Sequence, residues 1–246
     1  MALRPLRRLL WRLRPSTLRP WDEAVGQPGS KVLVIVAHPD DELFCSGLIC
    51  ALAERGDHIT IACLTRGEGG AQGDEDIAGL AAVREGELRE SARALGAKDV
   101  RLLGYVDPPP RGGTARAPAH KRSRMSKDLR ALLDEVAPDL VVTHGSSGEY
   151  WHPGHILLHD ATREAVGLDG GARLVTLNAW NPDHPIQEIV NEDDRASFMI
   201  DVAPYREARE RAMRCHASQL SVFEHFAGGS VGDFLEKTAN ESYRVI

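Results

Sequence analysis

Residues 31 to 42 read Lys-Val-Leu-Val-Ile-Val-Ala-His-Pro-Asp-Asp-Glu, a β-branched, apolar run that stops at a histidine, a proline and three carboxylates. A continuous apolar run of this length marks a strand buried on both faces of a parallel sheet. Open α/β sheets bind their ligands beyond the carboxyl ends of such strands. The strand predicted over 31–37 therefore delivers His38, Asp40 and Asp41 to the edge where chemistry is done. A second apolar run, Leu140-Val141-Val142-Thr143, ends at His144 and is followed by Trp151-His152-Pro153-Gly154-His155. Pro39 fixes one backbone angle of the first turn, so His38 and Asp41 can aim at one point while Asp40 points elsewhere. Together with His155 they make an N/O-ligated zinc site that leaves a coordination position for water.

Blander readings exist for each residue alone. An Asp-Asp-Glu run often only caps a helix, but that explains neither His38 nor the histidines after the second strand. His159 stands four residues beyond His155 and offers a rival pair on one helix face. His155 is preferred because a further turn into the helix carries His159 away from the strand ends. His144 reads as a satisfied core histidine, with support of the ligands as the alternative.

Outward from these stretches the chain alternates strand-like and helix-like segments, which predicts a doubly wound, mostly parallel sheet with helices on both faces. Strands are expected over 31–37, 58–65, 100–103, 139–143 and 174–177. Helices are expected over 42–55, 78–95, 125–136 and 154–166, the first two closed by Gly56 and Gly96. A less regular C-terminal part adds a strand over 198–202 and a helix over 204–217. Two long loops, 66–77 and 107–123, both follow strands on the metal-motif edge. Loops of that length are usually functional or disordered, and their placement fits the walls of a pocket.

Composition sets the frame. The chain has 246 residues, enough for one well-filled domain, with no compositional break after residue 30. A net charge of -6, with basic and acidic residues interleaved beyond the N-terminus, gives no pull toward nucleic acid. Cys45, Cys50, Cys63 and Cys215 form no CxxC pair and sit in apolar surroundings, which reads as reduced thiols in the cytoplasm. Residues 1–30 form a separate basic extension ahead of the domain at 31–246. Its first 21 residues hold Arg4, Arg7, Arg8, Arg12, Arg14 and Arg19 with no acid, among leucines and Trp11. Too short and charged to span a bilayer, it reads as a terminal extension that is loose or packed on the domain, a peripheral contact of residues 1–20 with anionic membrane, or a targeting peptide.

Ala37-His38-Pro39-Asp40-Asp41-Glu42, Leu64-Thr65-Arg66-Gly67-Glu68-Gly69-Gly70, Arg84-x-x-Glu87, His152-Pro153-Gly154-His155 and Ser218-Gln219, in that order, resemble the LmbE-like, or PIG-L, superfamily of zinc-dependent N-deacetylases. The resemblance covers most of residues 31 to 225. It implies a Rossmann-like fold, a Zn2+ cofactor and hydrolysis of an N-acyl group, usually acetyl, from an N-acetylglucosaminyl-type amino sugar or its conjugate. By motif position it implies His38, Asp41 and His155 as zinc ligands, Asp40 as general base and protonated His152 as the group that stabilises the oxyanion. Tyr150 then stands near the reacting carbonyl, and Arg84 and Asp107 contact the sugar. Trp151 and Gly154 depart from the usual family residues, Gly and Asp or Asn, which points to a different pocket shape. Two rivals on the same fold are a non-catalytic sugar-binding or scaffold protein and a hydrolase of another N-acyl amide. A nucleotide-dependent oxidoreductase would need a glycine-rich turn after the first strand, where Ala37-His38-Pro39-Asp40-Asp41 stands instead.

Overall fold

The computed structural model describes residues 18–70, 77–167 and 171–246. Most of the basic N-terminal stretch, with the membrane contact read into it, lies outside the described residues. In chain order the main elements are α1 (Trp21–Val25), β1 (Lys31–Val36), α2 (Ser46–Glu54), β2 (His58–Thr65), α3 (Ile77–Leu95), β3 (Asp99–Tyr105), α4 (Arg122–Val136), β4 (Leu140–Thr143) and α5 (Pro153–Val166). After them come β5 (Arg173–Thr176), β6 (Ala179–Trp180), β7 (Asn191–Arg195), β8 (Phe198–Asp201), α6 (Arg206–Cys215), α7 (Leu220–Ala227), α8 (Val231–Lys237) and β9 (Asn240–Val245).

Seven strands form one sheet in the order β3-β2-β1-β4-β5-β9-β8. The five from β3 to β5 are parallel, while β9 runs antiparallel to both β5 and β8. Winding proceeds outward from β1 in one direction and from β4 in the other, so the topological switch lies between β1 and β4. His38 and His144 stand at their carboxyl ends. The strand period of two divides β1 cleanly: Val32, Val34 and Val36 face one core, and Leu33, Ile35 and Ala37 face the other. The first core is closed by α2, α3, α6, α7 and α8, and the second by Met125, Leu129 and Leu132 of α4 with Leu158 and Ala161 of α5. Both faces of β1 are thus dry, as its unbroken apolar run requires.

Local structure departs from the periodic reading in three places. The helix expected from residue 42 begins as a tight 3-10 turn, Asp41–Cys45, before α2. The reason is local: Asp41 Oδ2 accepts the His38 N–H at 2.8 Å, which ties the side chain back into the turn. At the other terminus α7, α8 and β9 replace what read as irregular chain. The strand β9 escaped notice because Asn240-Glu241-Ser242 is polar. Its Glu241 is nonetheless buried, and its two carboxylate oxygens accept the N–H groups of Gly47 and Leu48 at 2.8 and 2.9 Å. The chain's end thereby satisfies the orphan donors at the start of α2, the helix that leads out of the metal motif. Finally, α1 falls within the stretch that reads as basic extension, yet its Ala24 and Val25 are buried in the core.

The α2 start is also tightly packed. A methyl group on Gly47 would enter the space of the Val202 side chain. Gly47→Ala is expected to cost about 1–3 kcal/mol in thermal or denaturant unfolding. The penalty should shrink in a Val202→Ala background, where the space is vacated.

Candidate functional site

The turn after β1 and the start of α5 bring three donor atoms together. His38 Nδ1 lies 3.2 Å from Asp41 Oδ2, His155 Nε2 lies 3.3 Å from the same oxygen, and the two ring nitrogens are 3.3 Å apart. Each remaining ring nitrogen is turned to a carboxylate. His155 Nδ1 donates to Glu149 Oε2 at 2.7 Å, and His38 Nε2 faces Asp107 Oδ1 at 3.5 Å. Protons held on those rear atoms leave the front nitrogens as lone pairs directed at each other and at a carboxylate oxygen. Such an arrangement is repulsive unless a cation sits among them. A tetrahedral ion with bonds of about 2.0–2.1 Å has ligand-to-ligand edges of about 3.3 Å, which is the triangle observed. All three residues are buried.

Without a metal, a proton takes the cation's place. Burial opposes charge on His38, but hydrogen bonds to Asp107 and Asp41 outweigh it and raise the imidazole to about 9. Burial likewise opposes charge on Asp41, yet His155, His144 and His38 hold its carboxyl well below the usual range. Proton and metal thus compete for one set of atoms.

Glu149 organises this centre, and no sequence pattern singled it out. Its Oε2 accepts from His155 Nδ1 and, at 2.8 Å, from His144 Nδ1, while Oε1 accepts from Gly145 N–H and from Asn191 Nδ2. Asn191 in turn takes the N–H groups of Ser147 and Glu149 on its Oδ1. Its side chain fills the space a Cβ at Gly145 would need. His144 is more than a core histidine: it stacks on His155 with ring centroids 3.9 Å apart, and its Nε2 accepts the Ala37 N–H. His159 stays a turn away, bonded to the His144 carbonyl, as its position in the helix implied.

Asp40 stands beside the donors but is not one of them. Its backbone has φ 108° and ψ -24°, a left-handed conformation that L-residues avoid. Arg84 reaches it from α3: the guanidinium is buried and bonds Asp40 Oδ2 at 3.0 Å, the Pro39 carbonyl at 2.6 Å and the Gly67 carbonyl at 2.8 Å. Gly67 has φ +68°, and any Cβ there would strike that guanidinium, so the Gly-rich stretch after β2 is the cradle of Arg84. Burial raises the Asp40 carboxyl to about 6 even though Arg84 pulls the other way.

His152 and Tyr150 complete the wall. The Gly154 N–H donates to His152 Nδ1 at 3.2 Å, which places this ring's own proton on Nε2. Burial and the neighbouring His155 and His38 lower it to about 2, a shift toward the neutral ring and against the protonated imidazole expected from sequence. Tyr150 packs edge-on against His152 and His155 and rests on Phe226, and burial holds its hydroxyl well above the usual phenol range. The backbone here is strained as well: Glu149 and Trp151 have φ of 59° and 64°. His38, Asp40, Asp41, Arg84, Asp107, Tyr150 and His152 all line one cleft of about 180 Å³. Its outer wall is Pro108, Pro110, Ala115 and Arg116 of the second long loop, together with Gln219 and Val222. The residues singled out in sequence therefore meet, with Arg84 and Asp107 also braced against Asp40 and His38.

Comparison with known proteins places this geometry. Residues 33–166 match the PIG-L family, described as GlcNAc-PI de-N-acetylase. A 1D-myo-inositol 2-acetamido-2-deoxy-alpha-D-glucopyranoside deacetylase from Actinosynnema mirum is 31% identical over 240 residues, covering 81% of this chain and 84% of the relative. Among solved structures, the N,N'-diacetylchitobiose deacetylase from Pyrococcus horikoshii superposes with a TM-score of 0.62 at 22% identity, over 90% of this chain and 86% of that one. A 4-carboxy-2-hydroxymuconate hydratase from Pseudomonas putida superposes with a TM-score of 0.63 at 18% identity, over 88% of this chain and 96% of that one. At such identities the two structures speak to the fold alone, which evidently hosts more than one reaction.

Because Glu149 holds both His155 and His144, Glu149→Gln is expected to weaken zinc binding by about 10- to 100-fold in competition with a chelating dye.

Proposed function

The chain belongs to the PIG-L family, and from that membership and the geometry of the cleft we propose a zinc-dependent hydrolase that removes an N-acyl group, acetyl first of all, from an N-acetylglucosaminyl conjugate. One observation carries the reading: the three-donor triangle of His38, Asp41 and His155 with Asp40 and His152 beside it in the same cleft. A binding protein would need neither of the last two. Zinc is favoured by the donors, two imidazoles and one carboxylate converging at tetrahedral edge lengths. When bound, it supplies a Lewis acid for the acyl carbonyl and lowers the pKa of a water.

The chain's own residues do the rest. Asp40, its carboxyl tuned upward by burial, takes the proton of the attacking water. His152 donates its Nε2 hydrogen to the oxyanion that forms on the acyl oxygen, and does so as a neutral ring. Tyr150, bordering the same space, orients the acyl group with its hydroxyl kept protonated. The carbon–nitrogen bond then breaks, and the proton stored on Asp40 passes to the departing amine. Arg84 keeps the Asp40 carboxylate in place, and Asp107, which lines the same cleft, is assigned to contact with the sugar.

The proposal is tested by assaying zinc-loaded protein for free amine on N-acetylglucosaminyl inositol, diacetylchitobiose and longer N-acyl glucosaminides. Asp40→Asn should lower turnover by roughly 10² to 10⁴ with zinc retained, and His152→Ala by roughly 10² to 10³, mainly in kcat. By contrast, Asp41→Ala and His155→Ala should lose metal and activity together, since each removes one of three protein ligands. Near-wild-type rates in both Asp40→Asn and His152→Ala would refute the mechanism whatever the metal content.

A further inference from the structure

The glutamate of the Asp-Asp-Glu run touches no substrate space, yet it is the hub of a buried network that spans the chain. Glu42 is fully buried, and its two oxygens have separate partners. Oε2 accepts the Asp40 backbone N–H at 3.0 Å. Oε1 accepts from Ser91 Oγ of α3 at 2.6 Å and from His216 Nε2 at 2.5 Å. His216 is itself fully buried, directly after α6.

Its neighbours are fastened to the same helix. Ser218 gives both its N–H and its hydroxyl to Glu87 of α3, at 2.9 and 2.6 Å, and Gln219 then reaches the cleft wall. The face of α3 carrying Arg84, Glu87 and Ser91 thus grips Asp40, Ser218 and Glu42 in turn. These spacings of three and four residues place all three on one side of a helix.

We infer that His216 is a positioning residue for Asp40, acting through Glu42. The left-handed backbone at Asp40 is one that L-residues avoid, and it presents the Asp40 carboxylate to Arg84. Glu42 Oε2 holds that conformation by accepting the strained residue's N–H, and Glu42 Oε1 is fixed by His216 and Ser91. Remove the His216 bond and the Glu42 carboxylate keeps one side-chain anchor in place of two, so the base loses its aim. The motif His216-x-Ser218-Gln219 then has a mechanistic role, although 174 residues separate its histidine from Glu42. The inference rests on Asp40 being the base.

A double-mutant cycle tests it, with kcat, KM and bound zinc measured for each protein. His216→Ala is expected to lower kcat by roughly 10- to 100-fold, the scale of a misplacement of about 1 Å, with KM changed less than about twofold and zinc unchanged. His216→Gln, which retains a side-chain N–H, should recover part of the loss. In an Asp40→Asn background, where no carboxylate remains to be aimed, His216→Ala should cost less than about threefold. If the alanine variant does not fold, the glutamine variant carries the same cycle. Equal losses in both backgrounds, or a loss that tracks departing zinc, overturn the positioning role and leave the base assignment standing. A wild-type rate in Asp40→Asn alone overturns the base assignment and the positioning role with it.

Discussion

The parallel pairing of β1 with β4 is the constraint on which the site depends. Val32 stands opposite Leu140 and Ile35 opposite Thr143, so the two strands end level with one another. Because the chain winds away from this pair in opposite directions, their carboxyl ends face a crevice that no crossover covers. The β1 turn supplies His38 and Asp41 to that crevice, and β4 supplies His144 and the segment leading to His155. A shift of this register would separate the donors. The pairing is held by the dry packing of both faces of β1, which makes slippage costly.

Charge balance is the second constraint. Asp40, Asp41, Glu42, Asp107 and Glu149 are all buried, and a buried carboxylate is tolerated only where it is paired and hydrogen-bonded. Each has an assigned partner: Arg84 for Asp40, the histidines of the triangle for Asp41, His216 for Glu42, His38 for Asp107, and His144 with His155 for Glu149. Every imidazole of the donor triangle is backed by a carboxylate, which fixes its tautomer and strengthens it as a donor. His152 instead has a backbone N–H behind it and is pushed toward the neutral form. On the proposed mechanism, the division between groups that hold a cation and a group that donates a hydrogen bond follows from what stands behind each ring.

Strain is concentrated where function is proposed. Asp40, Glu149 and Trp151 occupy left-handed backbone conformations without being glycine. Such residues persist only where surrounding bonds over-determine them. Asp40 is gripped by Glu42 and Arg84, and Glu149 by Asn191, Gly145, His144 and His155. Rigidity gained this way fixes Asp40 and Glu149 independently of any substrate.

The sequence by itself determined the fold class and the address of the site. Periodicity of two and of 3.6 is local, so the alternation of buried strands and amphipathic helices, and the polar residues that end β1 and β4, can be read one segment at a time. Motif order then singled out His38, Asp40, Asp41, Arg84, Asp107, Tyr150, His152 and His155, and the folded chain gathers all eight around one cleft. What only the tertiary structure decided is who supports whom. Glu149 between two histidines, Asn191 beneath it, Glu241 capping α2 and His216 on Glu42 join residues with no shared period or motif. The shift of His152 toward its neutral form belongs to the same class, because desolvation and neighbouring charges exist only once the chain is folded. Hydrogen bonds and burial act through space, and a linear pattern records them only where the partners lie within a turn or two of each other.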